Sequence, residues 1–395
     1  MKKIMILGAG IYQVQLIKKV NELGMQSIVC SIPGNYPGFK DAHKSYYVDT
    51  RDSDQIIEIA SKEKIDGICT SGTDVAVSTI GKVCDALSLC GITYRAAQKA
   101  TDKKMMKKAF LENGVETAEF RVVSSAAEAE DAFFALNSNV IMKVTDKSGS
   151  RGIVQIKEYD KVKETYERLI QETEKDYLVV EEFIKGHEIG IDAIVQNKKV
   201  IMMAPHDKIT YNYMGTGIPI GHVFPYLSND VLNSQIHEQV KKVISALELD
   251  NCAVNMDVFI TDDGQIKIIE AGARAGATGI PELLSLFYDI DFYKCIIQIA
   301  LGEKLELEMK PKGFCASRLL FSEFGGVLNN VEIMKGMDKI KIDLDISKGD
   351  RVEAFSNGTC RFGQALICES SQENVNDFVE NFNQYIRCDI GDGNG

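Results

Sequence analysis

The stretch Asn251–Gly279, NCAVNMDVFITDDGQIKIIEAGARAGATG, constrains the fold more than any other part of the chain. It reads as two short apolar strands joined at Asp263-Gly264, a residue pair that signals a two-residue hairpin turn. A turn there sets residue 262 opposite 265, so every opposed pair sums to 527 and Asp257 faces Glu270. Side chains directly opposite on antiparallel strands sit roughly 4.5–5.5 Å apart, and like charges at that distance are destabilising unless neutralised. A hard divalent cation is the usual remedy, because it takes carboxylate oxygens. The alternative is an exposed hairpin whose acids point into water. Apolar flanks on both strands (Ala253, Val254, Val258, Ile266, Ile268, Ile269) favour a packed sheet and the cation.

A chain of 395 residues implies two or three domains. A net charge of -12 and a pI near 5.1 exclude the basic field that a nucleic-acid or anionic-membrane partner requires. The ten cysteines form no CxxC pair and lie in apolar contexts such as SIVCSI and GICTSG, as free thiols in a reducing cytosol do. Five scattered histidines offer no zinc spacing. MKKIMILGAG reads as a first strand rather than a signal peptide, and no run approaches a membrane span of ~18 apolar residues. A cytoplasmic protein without nucleic-acid or membrane partners is expected.

Residues 1–97 alternate strand and helix: strands at Lys3–Leu7, Ser27–Ile32 and Gly67–Thr70, helices at Tyr12–Leu23, Ser53–Glu63 and Asp74–Ser88. Such alternation implies a parallel sheet covered on both faces. Gly8-Ala9-Gly10 invites a dinucleotide reading, but the third glycine of GxGxxG falls on Gln13. The second strand also ends without an acid for a ribose, so a tight strand-to-helix turn is expected.

Residues 98–120 read as a basic helix, capped by Thr101 or Asp102 and ended by Gly114. Its lysines by themselves suit a solvated face. Lys143, inside the apolar run VIMKV, must snorkel out or meet a negative partner. The loop DKSGSRG between β-rich runs has the small residues that let backbone N–H groups approach phosphates, or it is a flexible hairpin. In DYLVVEEFIKGHEIGIDAIV an apolar strand reaches Glu181-Glu182, turns at Lys185-Gly186 and resumes at Glu188. Residues 201–227 read as a strand and a long loop containing His206, Lys208 and His222. Helices are expected at Asp230–Leu247, Ile280–Leu301 and Gln372–Arg387, with a boundary at Lys310–Gly313.

In this order the pieces resemble the ATP-grasp superfamily, which includes D-alanine–D-alanine ligase, biotin carboxylase, carbamoyl phosphate synthetase and the L-amino acid ligases. The resemblance covers roughly residues 1–310. It implies an α/β protein with an N-terminal Rossmann-like parallel sheet (1–97), a two-subdomain ATP-grasp core of α+β character (98–310, lid 120–187) and a small strand-rich C-terminal domain (311–395). It also implies ATP and Mg2+ or Mn2+ as cofactors, with small-molecule carboxylate and amine substrates, and leaves a homodimer open.

Carried over position by position, Lys103 in TDKKMM and Lys143 resemble the family's phosphate-contacting lysines, and Lys143 also has a catalytic role. Asp146–Gly152, with Ser148, Gly149, Ser150, Arg151 and Gly152, resembles the flap over the γ-phosphate. Glu181, Glu182 and the backbone of Phe183 and Ile184 match the adenine hinge, and Glu188 the ribose acceptor. Asp257 and Glu270 match the metal-binding carboxylates. Arg274 in EAGAR is similar to the arginine facing an acyl phosphate, with His222 and Lys208 as further substrate candidates. One departure stands out: many members have Glu-x-Asn where this chain has Glu270-Ala271-Gly272. Asn255, opposite Gly272 on the 527 register, is the candidate for the missing metal-binding oxygen. The expected activity is ATP-dependent carboxylate–amine ligation through an acyl phosphate, releasing ADP and phosphate. A carboxylase or carbamoyl-phosphate-type enzyme, a nicotinamide-dependent oxidoreductase and a silent nucleotide-binding protein are the alternatives.

Overall fold

The computed structural model describes residues 1–146, 152–213, 216–334 and 339–391. Near the amino terminus four parallel strands stand in the order Lys44–Tyr47, Gln26–Ser31, Lys3–Leu7, Gly67–Cys69. Successive side chains of the first strand enter different cores: Met5 and Leu7 join one buried cluster, Ile4 and Ile6 the other. This two-sided burial is why the strand is apolar throughout. The Ser53–Glu63 helix starts where Asp52 accepts a hydrogen bond from the Gln55 N–H and stops at left-handed Lys64, φ 54°. Lys44–Tyr47 was not expected as a strand; KSYY is an edge strand with partly exposed side chains and lacks the apolar run of its neighbours.

An eight-stranded sheet forms the centre, in the order Ile266–Gly272, Cys252–Thr261, Gly186–Gln196, Lys199–Tyr213, Thr216–Phe224, Phe314–Leu320, Gly363–Glu369, Lys341–Leu344. Its apolar face (Ile189, Ile191, Val254, Met256, Val258) is buried with Ile236, Val240 and Val243 of the helix Asp230–Ala246. The expected 310/311 boundary falls inside this continuous sheet, since Phe314–Leu320 pairs with Thr216–Phe224. A separate four-stranded sheet, ordered Phe120–Val123, Leu178–Glu182, Val140–Lys143, Ile153–Ile156, has its own core around Phe133, Met142 and Val180.

Three local expectations are corrected. The strand and long loop expected over 201–227 are two paired strands, Lys199–Tyr213 with Thr216–Phe224, because Met202, Ala204 and His206 alternate inward. The 280–301 helix is two, Ile280–Tyr288 and Phe292–Ala300, broken at left-handed Asp289 and restarted by an Asp291 cap. The late helix is short, Gln372–Glu380 then Phe382–Tyr385, and gives way to the strand Ile386–Gly391.

The opening hairpin is corrected in its turn but not in its outcome. The loop is Asp262-Asp263-Gly264, closed by Thr261 N–H to the Gln265 carbonyl at 2.9 Å, with Gly264 at φ 82°. This is the three-residue turn with a left-handed glycine rather than the two-residue one. The one-residue slip alone would set Asp257 against Ile269. A bulge between Asp257 and Val258 takes up one residue and restores Asp257 opposite Glu270 and Asn255 opposite Gly272.

Burial lifts the thiols of Cys30, Cys69, Cys84 and Cys252 from 9.0 to about 12. The unfolded chain ionises them first, so their contribution is intact below pH 9 and is lost as pH rises toward 12. Each should cost about 1.4 kcal/mol by pH 10. Denaturant unfolding of the reduced protein at pH 8 and pH 10 should show the loss, and a Cys69→Ala/Cys252→Ala variant should show less of it.

Candidate active site

Strand alternation carries a polar row across the other face of the central sheet. Asp257 lies opposite Glu270 on one side and Gly190 on the other, while Asn255 lies between Gly272 and Asp192. His206 pairs with Gly190, and Lys208 with His222. Gly190 is required here, since a Cβ would come within 2.1 Å of the His206 ring.

Each member of the opposed acid pair is neutralised by its own lysine. Lys208 Nζ lies 2.5 Å from Asp257 Oδ1 and 2.7 Å from Glu188 Oε1, and Lys103 Nζ lies 2.8 Å from Glu270 Oε2. Lys103 pulls the Glu270 carboxyl down to about 2. Burial raises Asp257, Lys208 opposes that shift, and the like charges of Glu270 and Glu188 add to it. Lys208, expected at substrate, instead bridges the acids.

The helix Lys103–Glu112 begins at Asp102, whose Oδ1 accepts from the Met105 N–H at 3.0 Å. Its basic face is not simply solvated. Lys103 reaches Glu270, and Lys107, four residues on and therefore on the same side, is 1% exposed. Lys107 Nζ lies 2.7 Å from Thr117 Oγ1 and 3.3 Å from Glu181 Oε2, and the same oxygen takes Lys143 at 2.9 Å. Burial, resisted by Glu181 and reinforced by Lys143, lowers Lys107 to about 8. Lys143 thus meets the negative partner that its apolar strand demands. Lys107 was missed; its only sequence signal was the i,i+4 spacing from Lys103.

Glu181 Oε1 is buried without a hydrogen-bond partner. Glu182 accepts from the Glu119 N–H at 2.9 Å, and Phe183 donates its N–H to the Asn139 carbonyl at 3.0 Å. Ile184 is half-buried in the connection to the next strand. Gly152, at φ 67°, accepts from the Val144 N–H at 2.9 Å. Ser148, Gly149, Ser150 and Arg151 lie outside the described residues.

Arg274 forks onto Asp74, Nε to Oδ1 at 2.9 Å and Nη2 to Oδ2 at 3.0 Å, and donates Nη1 to Asn255 Oδ1 at 2.8 Å. Burial works against its charge, but Asp74, with Asp192 and Asp257, together outweigh it and the guanidinium pKa rises. Two expectations change. The Asn255 oxygen is already engaged by Arg274, and its amide donates to Asp192 Oδ2 at 2.9 Å, so it positions the arginine rather than completing the carboxylate pair. His222 is 2% exposed and 3.1 Å from His206 Nδ1, within the sheet rather than facing a substrate. Burial first, then His206 and Lys208, hold its pKa well below the usual histidine value.

A cleft of about 900 Å³ lies between the N-terminal sheet and this polar face. Lys103, Asn255, Glu270 and Arg274 line it; Lys143, Glu181, Glu188, Lys208 and Asp257 do not. Gly8-Ala9-Gly10, expected only as a tight turn, also lines it, as do Asp49 and Asp74. Among the described residues no three His, Cys, Asp or Glu side chains cluster to hold a metal. Two facing carboxylates nevertheless fit a hard cation of the kind that keeps waters and phosphate oxygens as its other ligands. The unpartnered Glu181 oxygen likewise fits a donor such as an adenine amino group. No helix among the described residues is long and apolar enough to cross a membrane.

Fold and cleft together define an α/β protein with a parallel N-terminal sheet, a polar face on the central sheet and a separate four-stranded sheet. A family model for the ATP-grasp domain matches residues 100–278. A phosphoribosylglycinamide synthetase from Anaerococcus prevotii is similar over 99% of this chain and 100% of its own, at 30% identity and a TM-score of 0.83. An L-amino acid ligase from Bacillus licheniformis shares the fold, with a TM-score of 0.82 at 17% identity and 99% coverage of both chains. Alanine–anticapsin ligase from Bacillus subtilis is 25% identical over 285 residues, 66% of this chain and 58% of its own length. The chain belongs to the ATP-grasp family.

The Lys107–Glu181–Lys143 cluster has one carboxylate for two ammonium groups. Glu181→Gln leaves both unpaired and should cost about 3–5 kcal/mol, whereas Lys107→Met keeps one balanced pair and should change stability by about 1 kcal/mol or less. Urea unfolding of the two variants checks the contrast.

Proposed function

We propose that the chain is an ATP-dependent carboxylate–amine ligase that works through an acyl phosphate and releases ADP and phosphate. The observation that supports it most is the opposed Asp257/Glu270 pair, held by Lys103 and Lys208, with Glu270 and Arg274 lining one cleft. A carboxylate is a poor electrophile, so amide formation requires one of its oxygens to become a leaving group. Transfer of a phosphoryl group to that oxygen needs positioning and charge neutralisation more than covalent help. Asp257 and Glu270 would hold Mg2+, which supplies further neutralisation of the phosphates. Lys103 and Lys208 carry ammonium groups to the same place, and bound phosphate oxygens offer them an alternative to the two carboxylates. Glu181 and the 182–184 segment would receive the adenine, with Glu188 on the ribose. The four-stranded sheet of residues 120–182 would act as a lid that excludes water from the intermediate. Arg274 faces the acyl phosphate and stabilises the oxyanion formed when the amine attacks. The N-terminal half of the cleft, with the Gly8–Gly10 turn, would take the amine or the carboxylate.

The names of the relatives favour an amino acid or another small carboxylate joined to a small amine. An ADP-release screen over such compounds, singly and in pairs with Mg2+, should give turnover with one pair. Glu270→Gln should then lower kcat by about 100-fold or more. Release of AMP and pyrophosphate, or full turnover by Glu270→Gln, would overturn the proposal.

A further inference from the structure

The place of the family's missing asparagine is filled from the other end of the chain. A Cβ built on Gly272 would lie 2.6 Å from Asp74 Oδ1, closer than side chains approach, and 3.6 Å from Arg274 Nε. Asp74 cannot readily retreat, because both its oxygens are engaged by the Arg274 guanidinium at 2.9 and 3.0 Å. The loop that carries it is docked by backbone: the Gly72 N–H donates to the Ala275 carbonyl at 3.1 Å, and Ser71 bridges Ala275 in parallel. That loop is itself tightly built, since Gly72 sits at φ 66° with no room for a Cβ against Tyr12. Asp74 is partly exposed in the cleft, so the N-terminal domain presents a carboxylate beside the arginine at the reaction centre.

We propose that Asp74 is a positioning residue supplied across the domain boundary, and that Gly272 is its counterpart. The glycine leaves the space that the carboxylate occupies, and the carboxylate turns the Arg274 guanidinium toward the cleft. Asn255 holds the third guanidinium nitrogen from the adjacent strand, so the arginine is clamped on two sides. The arginine is therefore set jointly by the N-terminal loop and the central sheet, which brings the N-terminal domain into the chemistry. This rests on the ligase reading for what Arg274 does, but the contact itself can be tested without any substrate.

The test is a four-protein cycle of wild type, Gly272→Ala, Asp74→Ala and the double variant, read first by thermal unfolding with no ligand. Gly272→Ala should lower the midpoint by about 3 °C in the wild-type background and by nothing further in the Asp74→Ala background. If Gly272→Ala fails to fold while the double variant folds, the same coupling is seen in its extreme form. Equal shifts in both backgrounds, or no shift in wild type, would overturn the proposal whether or not the protein proves to be a ligase. With a substrate pair in hand, Asp74→Asn should lower kcat about 10-fold or more while KM for ATP stays within about twofold, because the guanidinium loses a charged partner outside the nucleotide site. A matching rise in KM for ATP without loss of kcat would contradict a positioning role.

Discussion

Two carboxylates are held face to face on neighbouring strands, and most of the site answers to that repulsion. The pairing of Asp257 with Glu270 is unfavourable on its own. It persists because the bulged hairpin and the apolar face beneath it fix the register, and because two lysines arrive from separate elements. Lys103 comes from the helix linking the N-terminal domain to the lid, Lys208 from a central strand. A site balanced by side-chain ammonium groups can exchange them for a cation and its phosphates without rebuilding the sheet.

The same sheet separates structure from chemistry by alternation. Residues 189, 191, 254, 256 and 258 enter the core against the Asp230–Ala246 helix, while 188, 192, 255 and 257 form the polar row. On the same face Asp192, His206 and His222 are buried, with Asp192 holding Asn255 and the Gly276 N–H. Arg274 is set by this row on one side and by the N-terminal domain on the other. The arrangement brings residues about 200 positions apart in sequence into one guanidinium shell.

Much of this was legible in the sequence where it depended on local pattern. Most N-terminal strands and helices, the Asp102 cap and the facing pair of acids follow from periodicity and turn residues. The hairpin shows the limit. Its turn is one residue longer than Asp263-Gly264 suggests, and only an unforeseen bulge returned the acids to register. Long-range contacts left weaker marks. Lys107 looked like one more surface lysine because nothing local announces Glu181, and Asp74 lay unassigned in TSGTD because its partner is on the far side of the chain. His222 and Lys208 looked available because 201–227 read as a strand and a long loop; as two paired strands, that stretch gives each a fixed neighbour.

The central claim is that the Asp257/Glu270 pair forms the cation-dependent floor of a nucleotide site. Calorimetric titration with ADP, with and without Mg2+, tests it most directly and needs no knowledge of the other substrates. Wild-type protein should bind ADP at least about 10-fold more tightly with Mg2+ than without it, and an Asp257→Asn/Glu270→Gln variant should lose that difference. Equal Mg2+ enhancement in the folded variant would contradict the account.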